Sequence, residues 1–211
     1  MAEPLSRGGY VLQFAKAPVP GLVKSRLQPA LGAEGAAAVA RRLTVCVAAM
    51  LRPLPVGWEA ILCADTPEDD TCLAIAREHR RQVWSQGDGD LGERMGRCIE
   101  RALHSAAAVI VVGSDCTGYD GAYLQRAIGI LGSGADAVLG PAIDGGYVLI
   151  GLRRWVPGLM DGIDWGGAGV AEAQRQRFVA ARLRWQELAP RADIDRPEDL
   201  WMLEGAGVRP W

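Results

Sequence analysis

Lysine is nearly missing from this sequence: of 23 basic residues, only Lys16 and Lys24 are not arginine. Histidine occurs twice, at His79 and His104, each inside a helical pattern without Cys or Asp at ligand spacing. That argues against a zinc site and against a Ser-His-Asp hydrolase. The five cysteines, at 46, 63, 72, 98 and 116, include no C-x-x-C pair, so they read as reduced, mostly buried thiols. No uncharged stretch approaches the roughly 18 apolar residues of a spanning helix. Met1-Ala2-Glu3-Pro4 lacks the basic start and apolar run of a signal peptide. The expectation is a soluble, cytoplasmic protein without a membrane partner. A net charge of -2 lacks the basic excess of a nucleic-acid binder, so no nucleic-acid partner is expected. Also absent are a G-x-G-x-x-G after the first strand and a Gly-Lys-Ser/Thr, which disfavours a Rossmann dinucleotide site and a Walker A loop.

What is there is a chain of 211 residues, 49% hydrophobic and 23% charged, an ordinary globular balance. Apolar, β-branched runs at 10–15, 60–64, 108–112, 137–139 and 147–150 alternate with stretches of helical period. A late run at 183–188 alternates as a strand with one wet face. The pattern predicts an α/β fold around a mostly parallel sheet. Helices are predicted around Ala36–Leu51, Leu91–Leu103 and Tyr123–Leu131, and a last one from Pro197, with proline and acids in its first turn. No repeat or low-complexity linker divides the chain, so residues 1–211 read as a single domain.

Two stretches do not read as packing. The first, Ala15-Lys16-Ala17-Pro18-Val19-Pro20-Gly21, runs on to Lys24-Ser25-Arg26 directly after the first strand. Ligands of open α/β sheets bind outside the carboxyl ends of the strands. A lysine there supplies a point charge for phosphate and an arginine a bidentate fork. The second, Asp144-Gly145-Gly146-Tyr147, is a sharp turn between two apolar strands. Its glycines permit close backbone approach, and Asp144 can accept from sugar hydroxyls, although a plain hairpin turn explains the same residues.

Asp115 follows the central strand in Gly113-Ser114-Asp115-Cys116, where a carboxylate can bind Mg²⁺ or Mn²⁺ or merely cap a turn. Asp193 and Asp195 have strand-like spacing and would face the same way, with capping an equally adequate role for Asp195. The loop Gln86 to Arg94 runs into a helix N-terminus and suits ribose, base or phosphate. Trp165, in a glycine-rich loop, is placed at the pocket wall.

In their order, these motifs resemble the DUF2064 family of nucleotide-diphospho-sugar transferase-like proteins, which includes a group labelled arsenosugar-biosynthesis glycosyltransferases. The resemblance runs from about Tyr10 to Leu203. It implies a GT-A-like three-layer sandwich, and is similar also to small nucleotidyltransferases such as phospholactate guanylyltransferase. It implies that Lys24 and Arg26 bind phosphate, that Asp115 and Asp195 ligate Mg²⁺ or Mn²⁺, and that Asp144 and Tyr147 face sugar or acceptor. The candidate nucleotide contacts are then Ala15, Lys16, Gly21, Lys24, Arg26, Gln86 and Gly92. The acceptor side comprises Asp144, Gly145, Gly146, Tyr147 and Trp165, with Asp144, Lys24 and Arg26 as the catalytic set. The chain departs from the family pattern at Thr117, at Gly166-Gly167-Ala168 and at Arg196.

The leading expectation is a metal-dependent glycosyltransferase joining a nucleotide-diphosphate sugar to a small-molecule acceptor. A nucleotidyltransferase would use the same site with an NTP and release pyrophosphate. The departures keep a third reading open, a non-catalytic nucleotide-binding protein.

Overall fold

The computed structural model describes residues 8–52, 54–116 and 120–202. Seven strands form one sheet: β1 (Gly9–Ala15), β2 (Trp58–Ala64), β3 (Gln82–Ser85), β4 (Ala108–Gly113), β5 (Ala137–Pro141), β6 (Tyr147–Leu152) and β7 (Trp185–Glu187). Their order is β3-β2-β1-β4-β6-β5-β7. Only β6 runs against the rest, pairing antiparallel with both β4 and β5. The sheet is therefore mixed and mostly parallel. Five helices cover it: α1 (Gln28–Met50), α2 (Asp70–Glu78), α3 (Leu91–Leu103), α4 (Gly121–Gly132) and α5 (Val170–Ala180).

Strand alternation divides the core into two layers. Leu12 and Phe14 of β1, Ile61 and Cys63 of β2 and Val109 and Val111 of β4 pack with Met95, Cys98 and Ile99 of α3 and Phe178 of α5. Val11, Ile110 and Val112 face the opposite way, onto Val47 of α1 and Leu124, Ala127 and Leu131 of α4. Leu62 and Ala64 meet Cys72, Ile75 and Ala76 of α2 on that same side. Helices thus lie on both faces, as expected of a three-layer sandwich.

Three elements escape the sequence reading. β3 is four residues long at the sheet edge, too short to show a period, and is held by Trp84 against Tyr10 with ring centroids 5.7 Å apart. α2 opens on Asp69, whose side chain accepts from the Cys72 N–H, and buries only a short stripe. The buried face of α5 contains Gln174 between Ala171 and Phe178, which breaks its apolar signature. The helix expected from Pro197 begins there as a single 3-10 turn, Pro197–Asp199, and Trp201 and Met202 are helical; Leu203 lies outside the described residues.

The reversal of β6 matters for the site. Its first residue, Tyr147, lies at the sheet edge where β1, β4 and β5 end. After β7 the chain runs along that edge: Arg191 N–H donates to the Pro141 carbonyl and Ile194 N–H to the Asp115 carbonyl, both at 3.0 Å. Beneath it, Gln13 is fully buried in mid-strand. Its Nε2 donates to the Thr44 carbonyl at 2.8 Å and to Ser114 Oγ at 3.2 Å. Its Oε1 accepts from Arg81 Nη1 at 2.8 Å. Burial and the charge of Arg52 pull the Arg81 pKa down to about 10, so it stays charged at neutral pH.

Two outcomes test this core. Gln13→Leu strands an Arg81 donor, and should cost about 1–3 kcal/mol by urea unfolding. The His79 side chain is 4% exposed, neither ring nitrogen has a hydrogen-bond partner among the described residues, and burial and Arg81 hold its pKa below the ordinary value. The unfolded chain therefore takes up that proton first as pH falls. Stability complete above about pH 6.5 should decline below it, and His79→Phe should flatten the decline in urea midpoints measured from pH 7 to 5.

Candidate functional site

The loop after β1 is set by its backbone. Ala17 N–H donates to Asp65 Oδ1 at 2.8 Å, tying the loop to the end of β2. Lys24 takes left-handed angles, φ 47° and ψ 45°, and turns the chain into the 3-10 turn Ser25–Leu27. Its side chain is thereby directed inward and is only 5% exposed.

The Lys24 ammonium lies 3.0 Å from Asp115 Oδ1 and 4.0 Å from Asp195 Oδ1, and donates to the Ile194 carbonyl. Arg26 pairs with the other oxygen of Asp195. The four side chains singled out from three distant parts of the sequence thus form one cluster. Asp195 does not cap the last turn. Asp199 does so, its Oδ2 accepting from the N–H groups of Asp195 and Arg196 at 3.1 and 2.8 Å, and this leaves the Asp195 carboxylate to the cluster.

A cavity of about 510 Å³ opens over this cluster, within the range of small-molecule sites. Ala15, Lys16, Lys24, Arg26, Gln86, Asp115, Asp144, Gly146, Tyr147 and Asp195 all line it. A second cavity of about 340 Å³ adjoins it and is lined by Gly166, Gly167, Ala168 and Arg196. Arg26, Asp144, Asp193 and Asp195 form the boundary between the two. Asp193 is half-buried there, and burial with the nearby charge of Asp144 raises its pKa.

The hairpin between β5 and β6 is both the turn and the close approach that its sequence allowed. Asp144 Oδ1 accepts from Gly146 N–H at 2.9 Å, and Ala142 N–H donates to the Gly146 carbonyl. Gly145 has φ +95°, and a Cβ there would lie 2.0 Å from the Ala168 carbonyl oxygen. Its own carbonyl accepts from Ala171 N–H at 2.9 Å, which docks the hairpin on the start of α5. Tyr147 hydroxyl donates to Gln174 Oε1 at 3.4 Å, and burial pushes its phenol well above the ordinary range.

Four expected contacts lie elsewhere. Gly21 and Gly145 do not line the large cavity. Gly92 is a packing glycine in α3, where a Cβ would lie 2.8 Å from the Trp165 ring and 2.9 Å from the Met160 carbonyl. Trp165 is the lid on that glycine rather than a pocket wall, and meets Tyr147 edge-on at 6.2 Å. Thr117 lies outside the described residues. Arg94, at the end of the stretch read as suited to ribose, base or phosphate, lines the cavity with Ser114 and Thr44, none of the three having been named as a contact by itself. Arg94 stands one turn after the Asp90–Glu93 capping box that starts α3.

Comparison with known proteins follows the same lines. The family of uncharacterized proteins conserved in bacteria, DUF2064, matches residues 53–167. No curated protein matches the sequence significantly. A protein from Desulfovibrio desulfuricans G20, provisionally assigned as a nucleotide-diphospho-sugar transferase, shares 32% identity over 89% of this chain and 82% of its own, with TM-score 0.80. The fold recurs in a cytidylyltransferase from Leptospira borgpetersenii: TM-score 0.64, 12% identity, 94% of this chain and 85% of that one. It recurs again in glucosyl-3-phosphoglycerate synthase from Mycobacterium tuberculosis, solved with Mn²⁺, UDP and glucosyl-3-phosphoglycerate: TM-score 0.58, 15% identity, 97% of this chain and 81% of that one. With its mixed seven-stranded sheet of the GT-A-like, nucleotide-diphospho-sugar transferase type, the chain belongs to the DUF2064 family.

Proposed function

We propose that the protein is a glycosyltransferase that moves a sugar from a nucleotide-diphosphate donor to a small-molecule acceptor, with Mg²⁺ or Mn²⁺ as cofactor. The observation that carries this reading is the cluster of Lys24, Arg26, Asp115 and Asp195 at the mouth of two adjoining cavities. One cavity suits a donor and the other an acceptor. The solved M. tuberculosis and L. borgpetersenii proteins, a glycosyl- and a cytidylyltransferase, support transferase chemistry on this fold.

The residues present fit a divalent cation. Mg²⁺ commonly takes one or two carboxylates and fills its remaining positions with phosphate oxygens and water. Asp115 and Asp195 offer such a pair, and the ammonium of Lys24 already stands where they call for positive charge. When bound, the cation would screen the negative charge of the departing diphosphate. Lys24 and Arg26 would hold that diphosphate, the first as a point charge and the second as a fork. Asp144 spends one oxygen on Gly146 N–H and keeps the other for an acceptor hydroxyl, which it would orient or deprotonate. Its place on the boundary between the cavities supports that role.

A thermal-shift series with Mn²⁺ or Mg²⁺ tests the reading directly. A nucleoside diphosphate at about 100 times its Kd should add roughly 2.7 kcal/mol of stability. The gain should require the metal and vanish in Asp115→Asn. Preference for a triphosphate, with pyrophosphate release, would transfer the assignment to a nucleotidyltransferase. No response to any nucleotide in folded protein would reject both. A second measurement addresses Lys24. Lys24→Met removes the cation that competes for Asp115 and Asp195, so Mn²⁺ alone should bind several-fold more tightly by titration calorimetry. The same change should weaken diphosphate binding about tenfold. It should lower metal-free stability by about 1–3 kcal/mol, less than a fully buried pair because Asp115 is 59% exposed.

A further inference from the structure

The large cavity has two ends of different chemistry. Its carboxylates, Asp115, Asp144, Asp193 and Asp195, all come from the end of β4, the β5–β6 hairpin and the chain after β7. The opposite end lies over β1, β2 and β3, and among the described residues no carboxylate lines it. Leu91, at the start of α3, stands there and is 36% exposed; Leu22, in the loop after β1, is 74% exposed. Both line the cavity. Apolar side chains left in water at the rim of a charged cavity suit the faces of a flat ring.

One cation reaches this end from α3 and is held in a fixed place. Gln86 is 2% exposed, and its Nε2 donates to the Cys63 carbonyl at 2.8 Å and the Ala15 carbonyl at 3.0 Å. Those two bonds fix the amide, and its Oε1 accepts from Arg94 Nη1 at 3.0 Å. Arg94 Nε donates to the Asp90 carbonyl at 3.3 Å, while Nη2 has no protein partner among the described residues. A guanidinium held on two sides, with one nitrogen left over at a cavity wall, is a preorganised donor.

Resting on the nucleotide reading above, we propose that Arg94 reads the base of the donor nucleotide and selects one with a ring carbonyl where cytosine and adenine carry an amino group. Gln86 is its positioning residue. A guanidinium only donates, so it pairs with O4 of uracil or thymine or O6 of guanine. Against the amino group of cytosine or adenine it meets a second donor, and both groups lose their hydrogen bonds on leaving water. The phosphates are left to Lys24 and Arg26 at the other end.

Titration calorimetry with UDP, TDP, GDP, CDP and ADP in Mn²⁺, and with inorganic pyrophosphate, tests this. The best of the first three should bind at least tenfold more tightly than CDP and ADP. Arg94→Met should compress that ratio to within about threefold and leave pyrophosphate binding unchanged. Gln86→Met should compress it too, which loss of packing alone would not do. Tightest binding of CDP or ADP overturns the inference. So does a ranking indifferent to Arg94→Met, or a several-fold loss of pyrophosphate affinity, which would put Arg94 on phosphate. In each of these cases the nucleotide site itself still stands. Failure of all five nucleotides to bind folded wild-type protein overturns both.

Discussion

The ammonium of Lys24, nearly sealed from water between Asp115, Asp195 and the carbonyl of Ile194, is the contact on which the rest of the site depends. It neutralises two carboxylates that would otherwise repel each other across the crevice. It also pins the chain after β7 to the end of β4, beside the bond from Ile194 N–H to the Asp115 carbonyl. It adds to the backbone bonds from Arg191 and Ile194 in fixing the wall shared by the two cavities. The left-handed turn at Lys24 is what makes this reach possible, and a residue with φ of 47° is held there by contacts at both of its ends.

The sheet explains why such separate pieces meet. Six strands point one way, so the loops after β1 and β4 open on one edge. The single reversed strand brings the β5–β6 hairpin to that edge as well. Charge is then sorted along the edge: Lys16, Leu91 and Arg94 come from the segments after β1 and β3, and the carboxylates from the end of β4, the hairpin and the chain after β7.

Much of this was legible in the sequence, and the parts that were not have identifiable reasons. Long apolar runs announced five strands because both faces of those strands are largely buried, leaving Gln13 as the one polar residue within the runs. β3 is an edge strand of four residues and α5 carries a buried Gln174, so neither shows a clean period. Lys24, Arg26, Asp115 and Asp195 stood out because each follows a strand or precedes a turn in an otherwise apolar context. Gly92 and Trp165 also stood out, yet their conspicuousness comes from packing against each other. Short spacing cannot distinguish a glycine that admits a ligand from one that admits an indole. Arg94 closed the stretch from Gln86 that the sequence marked for ribose, base or phosphate, but its own part in it did not show for the opposite reason. An arginine on an exposed helix turn is ordinary until the buried Gln86 holding it is seen.

Two contacts of the cluster span 169 and 170 residues of chain, from Arg26 to Asp195 and from Lys24 to the Ile194 carbonyl. During synthesis the loop after β1 therefore emerges long before the segment that completes the cluster. A nascent chain that has just finished the β5–β6 hairpin holds Lys24, Arg26 and Asp115 without the Asp195 that joins them. Closure over so long a separation also carries a high entropic cost, so this seam is among the last native contacts to form. The cluster is thus incomplete until nearly all of the sheet is already assembled, and its closure reports on the completed fold rather than on any one part of it.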